Sequence, residues 1–212
     1  MEKKTYLIIK RIMDIIFSML GLIILIPVLL IVSIVIKIES KGPVIFKQKR
    51  IGKDGKIFEI YKFRSMVVGA EKMGTGVYSK KGDTRVTKVG RFTRATSIDE
   101  LPQLINILKG EMSFIGPRPV LTYHPWKFED YTEEQKKRFL VRPGVTGWAQ
   151  IHGRKDVEWN NRIKLDVEYV ENISFKLDVK IFFKTIYQVI SMKDNVNKGE
   201  TAKKSNEGSK SQ

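Results

Sequence analysis

The chain has 212 residues, with 39 Lys and Arg against 23 Asp and Glu and a net charge of +16. That length is enough for one medium domain with a real core, and the charge selects anionic partners: nucleic acid, anionic lipid or phosphorylated substrates. Cysteine is absent and the only histidines are His124 and His152, which excludes a disulfide framework and thiolate metal sites and argues against a histidine cage.

Residues 15–36 read IIFSMLGLIILIPVLLIVSIVI, without a charge. As one helix they would reach about 33 Å, the thickness of a bilayer core. The run is too long for a signal-peptide core, and KIESKGPVIF follows where a cleavage site would stand. Two readings stay open. One is a single transmembrane helix. The other is a re-entrant hairpin, broken at Pro27 near the middle of the run. Lys3, Lys4, Lys10 and Arg11 precede the run and Lys37, Lys41, Lys47, Lys49 and Arg50 follow it. Basic flanks on both sides put both ends in the cytoplasm, which a hairpin satisfies and a straight span does not.

Residues 43–63 predict a β-hairpin, VIFKQKR and KIFEIYKF around Gly52-Lys53-Asp54-Gly55-Lys56. Residues 66–83, rich in Gly, Ser and Lys, read as a mobile loop. Helices are expected over 99–109 with Gly110 as the stop, over 132–138, and over 157–170 with Trp159, Ile163, Val167 and Val170 on one face. In residues 176–190, Val179, Phe182, Phe183, Ile186, Tyr187 and Ile190 form an apolar stripe, with Lys176, Lys180 and Lys184 on another face. Taken alone, this stripe reads first as a core-facing surface helix. The competing reading is a helix in the membrane interface. Residues 193–212 are polar and without aromatics and read as a disordered tail.

The chemistry-bearing stretch is TSIDELPQL, residues 96–104. Ser97 to Glu100 matches a capping box. With Ser97 as N-cap, however, Pro102 would be the fifth helical residue and lose a ladder bond. With Asp99 as N-cap, Pro102 falls where no intrahelical donor is needed. The expected helix start is therefore Asp99, with Asp99 and Glu100 at an anion-attracting mouth that keeps a carboxylate ionised. An ionised Asp is a nucleophile, and Glu can hold Mg²⁺ together with substrate phosphates. Arg91 and Arg94 lie upstream and Arg118 downstream, in Gly116-Pro117-Arg118-Pro119, where two prolines stiffen the backbone around a phosphate-binding guanidinium. RPGVTGWAQIHGR, residues 142–154, adds donors at Arg142, Gln150 and Arg154, with Trp148 as a stacking or anchoring ring. Each of these segments alone would pass for a structural turn.

Together they resemble the bacterial sugar transferase family, the monotopic phosphoglycosyl transferases. The matching pieces are KRIMDIIFSMLGLIILIPVLL, GPVIFKQKRIGKDGKIFEIYKFRSM, RATSIDELPQLINILKGEMSFIGPRPV, VRPGVTGWAQIHGR and SFKLDVKIFFKTI, in the family's order over residues 10–190. The resemblance implies an α+β fold: an N-terminal re-entrant membrane helix-break-helix over 1–40, then a catalytic domain over 41–192 with a small β-hairpin and surrounding amphipathic, interfacial helices, then the tail. It implies the short form of the family, at the cytoplasmic face of the bacterial inner membrane. The implied reaction moves a sugar 1-phosphate from a UDP-sugar to polyprenyl (undecaprenyl) phosphate, releasing UMP, as the first membrane step of glycan assembly. Asp99 would attack the β-phosphorus, and Glu100, with Asp99, would hold Mg²⁺. Arg118 and Arg154 match phosphate-handling positions, and Arg94 matches the basic position before the dyad. A homodimer is compatible with this reading.

Three positions depart from the family pattern. Ile26 precedes Pro27 where relatives often carry Ser, and His152 and Lys155 stand where relatives often carry amides. An alternative, a membrane-anchored basic module for nucleic acid or anionic lipid, accounts for the charge and the apolar run. It leaves IDELP and GPRP unexplained, and the basic residues are spread along the chain rather than gathered on one helix. Nucleic acid is therefore not an expected partner.

Overall fold

The computed structural model describes residues 2–74, 76, 82–153 and 158–191. The tail and Arg154 lie outside these described residues. The architecture mixes helices with two small sheets. Helix α1 spans Lys3–Glu39, followed by strands β1 (Ile45–Ile51) and β2 (Ile57–Phe63) and helices α2 (Lys88–Ala95) and α3 (Gln103–Lys109). Then come β3 (Ser113–Ile115), β4 (Val120–Leu121), α4 (Glu133–Lys136), β5 (Gly144–Thr146), α5 (Trp148–Ile151), α6 (Trp159–Glu171) and α7 (Phe175–Ile190).

Helix α1 runs through Pro27 as one element, which corrects the expected helix-break-helix. Packing on both sides of the proline explains the continuity. Leu22 and Leu25 lie against Phe58, Leu104 and Met112 before it, and Val28, Leu29, Val32 and Ile36 lie against Phe63, Val44 and Val89 after it. A lost ladder bond bends or weakens a helix, but tertiary contacts on either side keep it helical. At the N-terminal end Lys3 donates to the Val170 carbonyl at 2.8 Å and Arg11 to those of Ile107 and Leu108 at 2.6 and 2.9 Å. At the other end Glu39 accepts the backbone N–H groups of Lys88 and Val89. Both ends of α1 are thus held by the same body. Its outer face leaves Ile8, Ile12, Ile16, Phe17, Leu20, Ile23, Ile24, Leu30, Ile31 and Ile34 exposed, and it is long and apolar enough to cross a membrane.

The predicted hairpin is present, β1 and β2 pairing antiparallel with Ile51 opposite Ile57. Asp54 and Gly55 both take left-handed angles, φ 55° and 75°, at its tip, as an Asp-Gly turn requires. β4 adds to the free edge of β1, and β3 pairs parallel with β5. In the segment expected to be a mobile loop, the described residues wrap around Arg85. Its guanidinium donates to the carbonyls of Ala70, Met73 and Gly76 and pairs with Asp83 at 2.6 Å.

Helix α7 overturns the first reading of its stripe. The face on the body is Leu177, Asp178, Ile181 and Thr185, while Phe182, Phe183, Ile186 and Tyr187 are exposed. The polar residues decide this orientation. Asp178 accepts from Tyr6 Oη at 2.6 Å, Lys10 Nζ at 2.5 Å and Tyr169 Oη at 2.8 Å, and Thr185 shares a hydrogen bond with Thr146. A carboxylate buried without such partners costs far more than an exposed apolar ring.

Candidate active site

The dyad sits on a 3₁₀ turn, Ile98–Glu100, and α3 begins only at Gln103. This corrects the expected start at Asp99. Ser97 takes left-handed angles, φ 60° and ψ 14°, and its side chain makes no capping bond. The 3₁₀ bonds Glu100 N–H to Ser97 O and Leu101 N–H to Ile98 O carry the turn, and Pro102, with no N–H to give, falls at the N-cap of α3. Asp99 is therefore not held at a helix mouth. It is buried, 9% exposed.

Burial has the larger electrostatic consequence. It pushes the Asp99 carboxyl up to about 6, Lys62, Arg94 and Arg118 pulling it down and the Glu100 carboxylate pushing it up. The expectation that a helix mouth keeps it ionised is thus replaced by a balance between desolvation and three cations. Glu100 goes the other way. Burial alone would raise it, but Lys62 at 2.6 Å and Arg118 at 3.2 Å, both donating to Oε1, hold it well below the usual carboxylate range.

Four elements bring these groups together. β2 supplies Lys62 and the last turn of α2 supplies Arg94, whose Nη1 is buried with no partner among the described residues. The turn supplies the dyad, and the segment after β3 supplies Arg118. Asn106, on α3 just after the turn, locks one of these elements in place. Its amide accepts from Tyr61 N–H at 2.9 Å and donates to Glu59 O at 2.7 Å, fixing α3 to β2 beside Lys62. Gly110, φ 81°, ends α3 with its N–H on Ile107 O.

The other expected ligands fare differently. Arg91 is exposed on α2, one turn before Arg94. Arg142 donates through Nε to the Gly110 carbonyl at 2.8 Å, so it caps α3 instead of reaching the dyad. A loop arginine and an orphan helix carbonyl meet here because β3 pairs with β5. Gln150 lies on α5 with both amide atoms buried and without a partner among the described residues. Lys62, Asn106 and Arg50 escaped the sequence reading. Arg50 lies within electrostatic reach of Arg118 and Glu100 and donates to Pro119 O at 3.1 Å. Only the resemblance held any signal for them, since its matching pieces contain Arg50, Lys62 and Asn106.

As to metal, no group of three or more His, Cys, Asp or Glu gathers among the described residues. Two adjacent carboxylates do suit Mg²⁺, a hard cation that keeps its waters and completes its shell with substrate phosphate. The residues present thus fit a shared metal, not an all-protein cage.

A family model described as bacterial sugar transferase matches residues 5–192. The chain belongs to the bacterial sugar transferase family. Curated relatives in the family include a UDP-glucose:undecaprenyl-phosphate glucose-1-phosphate transferase of Klebsiella pneumoniae, 43% identical over 187 residues, which are 86% of this chain and 40% of that protein. A UDP-N-acetylgalactosamine-undecaprenyl-phosphate N-acetylgalactosaminephosphotransferase of Aeromonas hydrophila is 44% identical over 88% of this chain and 44% of its own length. The uncharacterized sugar transferase EpsL of Bacillus subtilis (strain 168) is 43% identical over 87% of this chain and 88% of its own length. The chain thus spans less than half of the first two relatives and most of the third.

Proposed function

We propose that the chain transfers a sugar 1-phosphate from a UDP-sugar to polyprenyl (undecaprenyl) phosphate at the cytoplasmic face of the bacterial inner membrane, opening the assembly of a glycan. The observation that carries this is Asp99: a buried carboxylate beside a second carboxylate, acted on by Lys62, Arg94 and Arg118. Three cations around a nucleophile suit a diphosphate, whose charge they offset as it approaches.

In the first step an Asp99 carboxylate oxygen forms a bond to the β-phosphorus of the donor. The bond from that phosphorus to the bridging oxygen breaks, and UMP leaves. In the second step an oxygen of polyprenyl phosphate attacks the same phosphorus, the acyl phosphate bond breaks, and the Asp99 carboxylate is restored. Two substrates of opposite solubility visit one carboxylate in turn, which gives ping-pong kinetics. Glu100 and Asp99 would hold Mg²⁺, which offsets phosphate charge when bound. Lys62 keeps Glu100 ionised for that task, and Arg118 and Arg94 orient the donor phosphates.

The membrane reading rests on α1 and α7. Both ends of α1 are tied to one body while its outer face is apolar, and α7 exposes Phe182, Phe183 and Tyr187. A monotopic, half-inserted attachment satisfies both features and holds Asp99 near headgroup height.

The test is Asp99→Asn in the full chain, with a panel of UDP-sugars, undecaprenyl phosphate and Mg²⁺. UMP release falls to background. Undiminished release overturns Asp99 as nucleophile.

A further inference from the structure

Arg118 stands in a segment that has few backbone donors of its own. Pro117 and Pro119 carry no N–H, so the segment is gripped through its carbonyls. Gly144 N–H donates to Pro117 O at 2.9 Å, Arg138 Nη2 to Arg118 O at 2.9 Å, and Arg50 Nη1 to Pro119 O at 3.1 Å. Three successive carbonyls are thus fixed by three separate elements, and the carbonyl of Arg118 itself depends on Arg138.

Arg138 is in turn held by Asp166 of α6. Its Nη2 and Nε donate to Asp166 Oδ2 at 2.6 and 3.1 Å, and both side chains are 1% exposed. Burying such a pair is a poor way to gain stability, since desolvation offsets much of the attraction and an apolar filling does as well. Asp166 Oδ1 is also buried without a partner among the described residues. The pair is a poor source of stability, yet through it one side chain bridges α6 and the Arg118 backbone. The Arg118 guanidinium then meets Glu100 at 3.2 Å.

We propose that Arg138 and Asp166 are positioning residues for the transfer reaction: Asp166 orients Arg138, and Arg138 holds the Arg118 backbone so that its guanidinium meets Glu100 and the donor phosphates. This rests on the reading of Arg118 as a phosphate ligand given above. The chain of contacts Asp166–Arg138–Arg118–Glu100 links α6 to the dyad across the wall of a small cavity that Pro117, Arg118, Pro119 and Arg138 line. Shortening the link lets Arg118 drift, and displacement on the order of 1 Å at a reacting centre is enough to cost roughly a hundredfold in rate.

The experiment is a double-mutant cycle on the full-length protein in lipid nanodiscs. UMP release is read with UDP-glucose, UDP-galactose, UDP-N-acetylglucosamine and UDP-N-acetylgalactosamine, each with undecaprenyl phosphate and Mg²⁺. Arg138→Lys lowers kcat/KM roughly tenfold to a hundredfold in the natural chain, and by less than about twofold when Arg118 is already Lys. The thermal midpoint falls by the same amount in both backgrounds, because lysine lacks the guanidinium's fork of donors to Asp166 in each. Equal rate losses in the two backgrounds, or none in the natural chain, overturn the proposal while leaving the transferase reading intact. If Arg138→Lys does not fold, Asp166→Asn enters the same cycle with the same expected outcomes. A natural chain silent with every donor overturns the transferase reading and this proposal with it.

Discussion

Lys62 Nζ lies 2.6 Å from Glu100 Oε1, an ion pair between a strand and a turn 38 residues apart in which both side chains are largely buried. Lys62 is also the strongest cationic influence on Asp99. One lysine therefore serves both carboxylates. Lys62→Met should lower the initial rate of UMP release by about a hundredfold or more, the scale seen when one preorganised charge-stabilising donor is removed. Lys62→Arg keeps the charge and should lose less. A methionine variant within about tenfold of the natural rate would remove Lys62 from the reaction.

Gly90 has no room for a side chain. A Cβ there would stand 1.9 Å from the Ser65 carbonyl oxygen, and the neighbouring atoms are also Ser65 backbone. The contact seats α2, and α2 carries Arg94. Gly90→Ala should cost about 1–3 kcal/mol or more in chemical unfolding, as overpacking against backbone does, and should lower activity as Arg94 shifts. Unchanged unfolding would mean that this approach is looser than the structure has it.

Helix α7 has one face on the body and one off it. Ile181 is fully buried, so Ile181→Ala should cost about 2–5 kcal/mol. Phe183 faces outward. The chain has no native cysteine, which makes single-cysteine labelling clean. In native membranes Phe183→Cys should resist a water-soluble maleimide while Lys164→Cys, on the exposed side of α6, reacts. Equal labelling of the two would contradict membrane contact along this face.

His124 packs edge-on against Trp159, with Arg50 of β1 and Arg162 of α6 acting on it. Burial first, then those two cations, lower its pKa from the usual value of 6.5. A depressed folded pKa means that the unfolded chain binds the proton more readily. The associated stability is present above about 6.5 and is lost as pH falls through the lower folded value. The thermal midpoint should drop on acidification below about pH 6.5, and His124→Gln should flatten that part of the curve. An identical pH slope in the variant would show that His124 contributes nothing to it.

Much of this was legible in the chain because the signals are local. The hairpin followed from Asp54-Gly55, the end of α3 from Gly110, and α6 from the spacing of Ile163, Val167 and Val170, since turn angles and helical periodicity are properties of neighbouring residues. The dyad itself stood out as consecutive carboxylates beside a proline. Its setting did not. Lys62 and the Arg138–Asp166 pair act on the site from tens of positions away, Asn106 ties α3 to a strand more than forty positions back, and no local pattern encodes such pairings.

The orientation errors share this cause. The apolar stripe of α7 satisfies a core face and a lipid face equally well by periodicity, and only the need to pair buried Asp178 with Tyr6, Lys10 and Tyr169 turned it outward. Pro27 predicts a break when α1 is considered alone, and packing before and after it kept one helix. Arg142 looked like a phosphate ligand until β3 pairing with β5 set it against the Gly110 carbonyl. By itself the sequence determined which residues carry charge, where the chain turns and which segments are apolar. Only the tertiary structure decided which charges meet, because burial and distance set the energy of an ion pair and both are created by the fold.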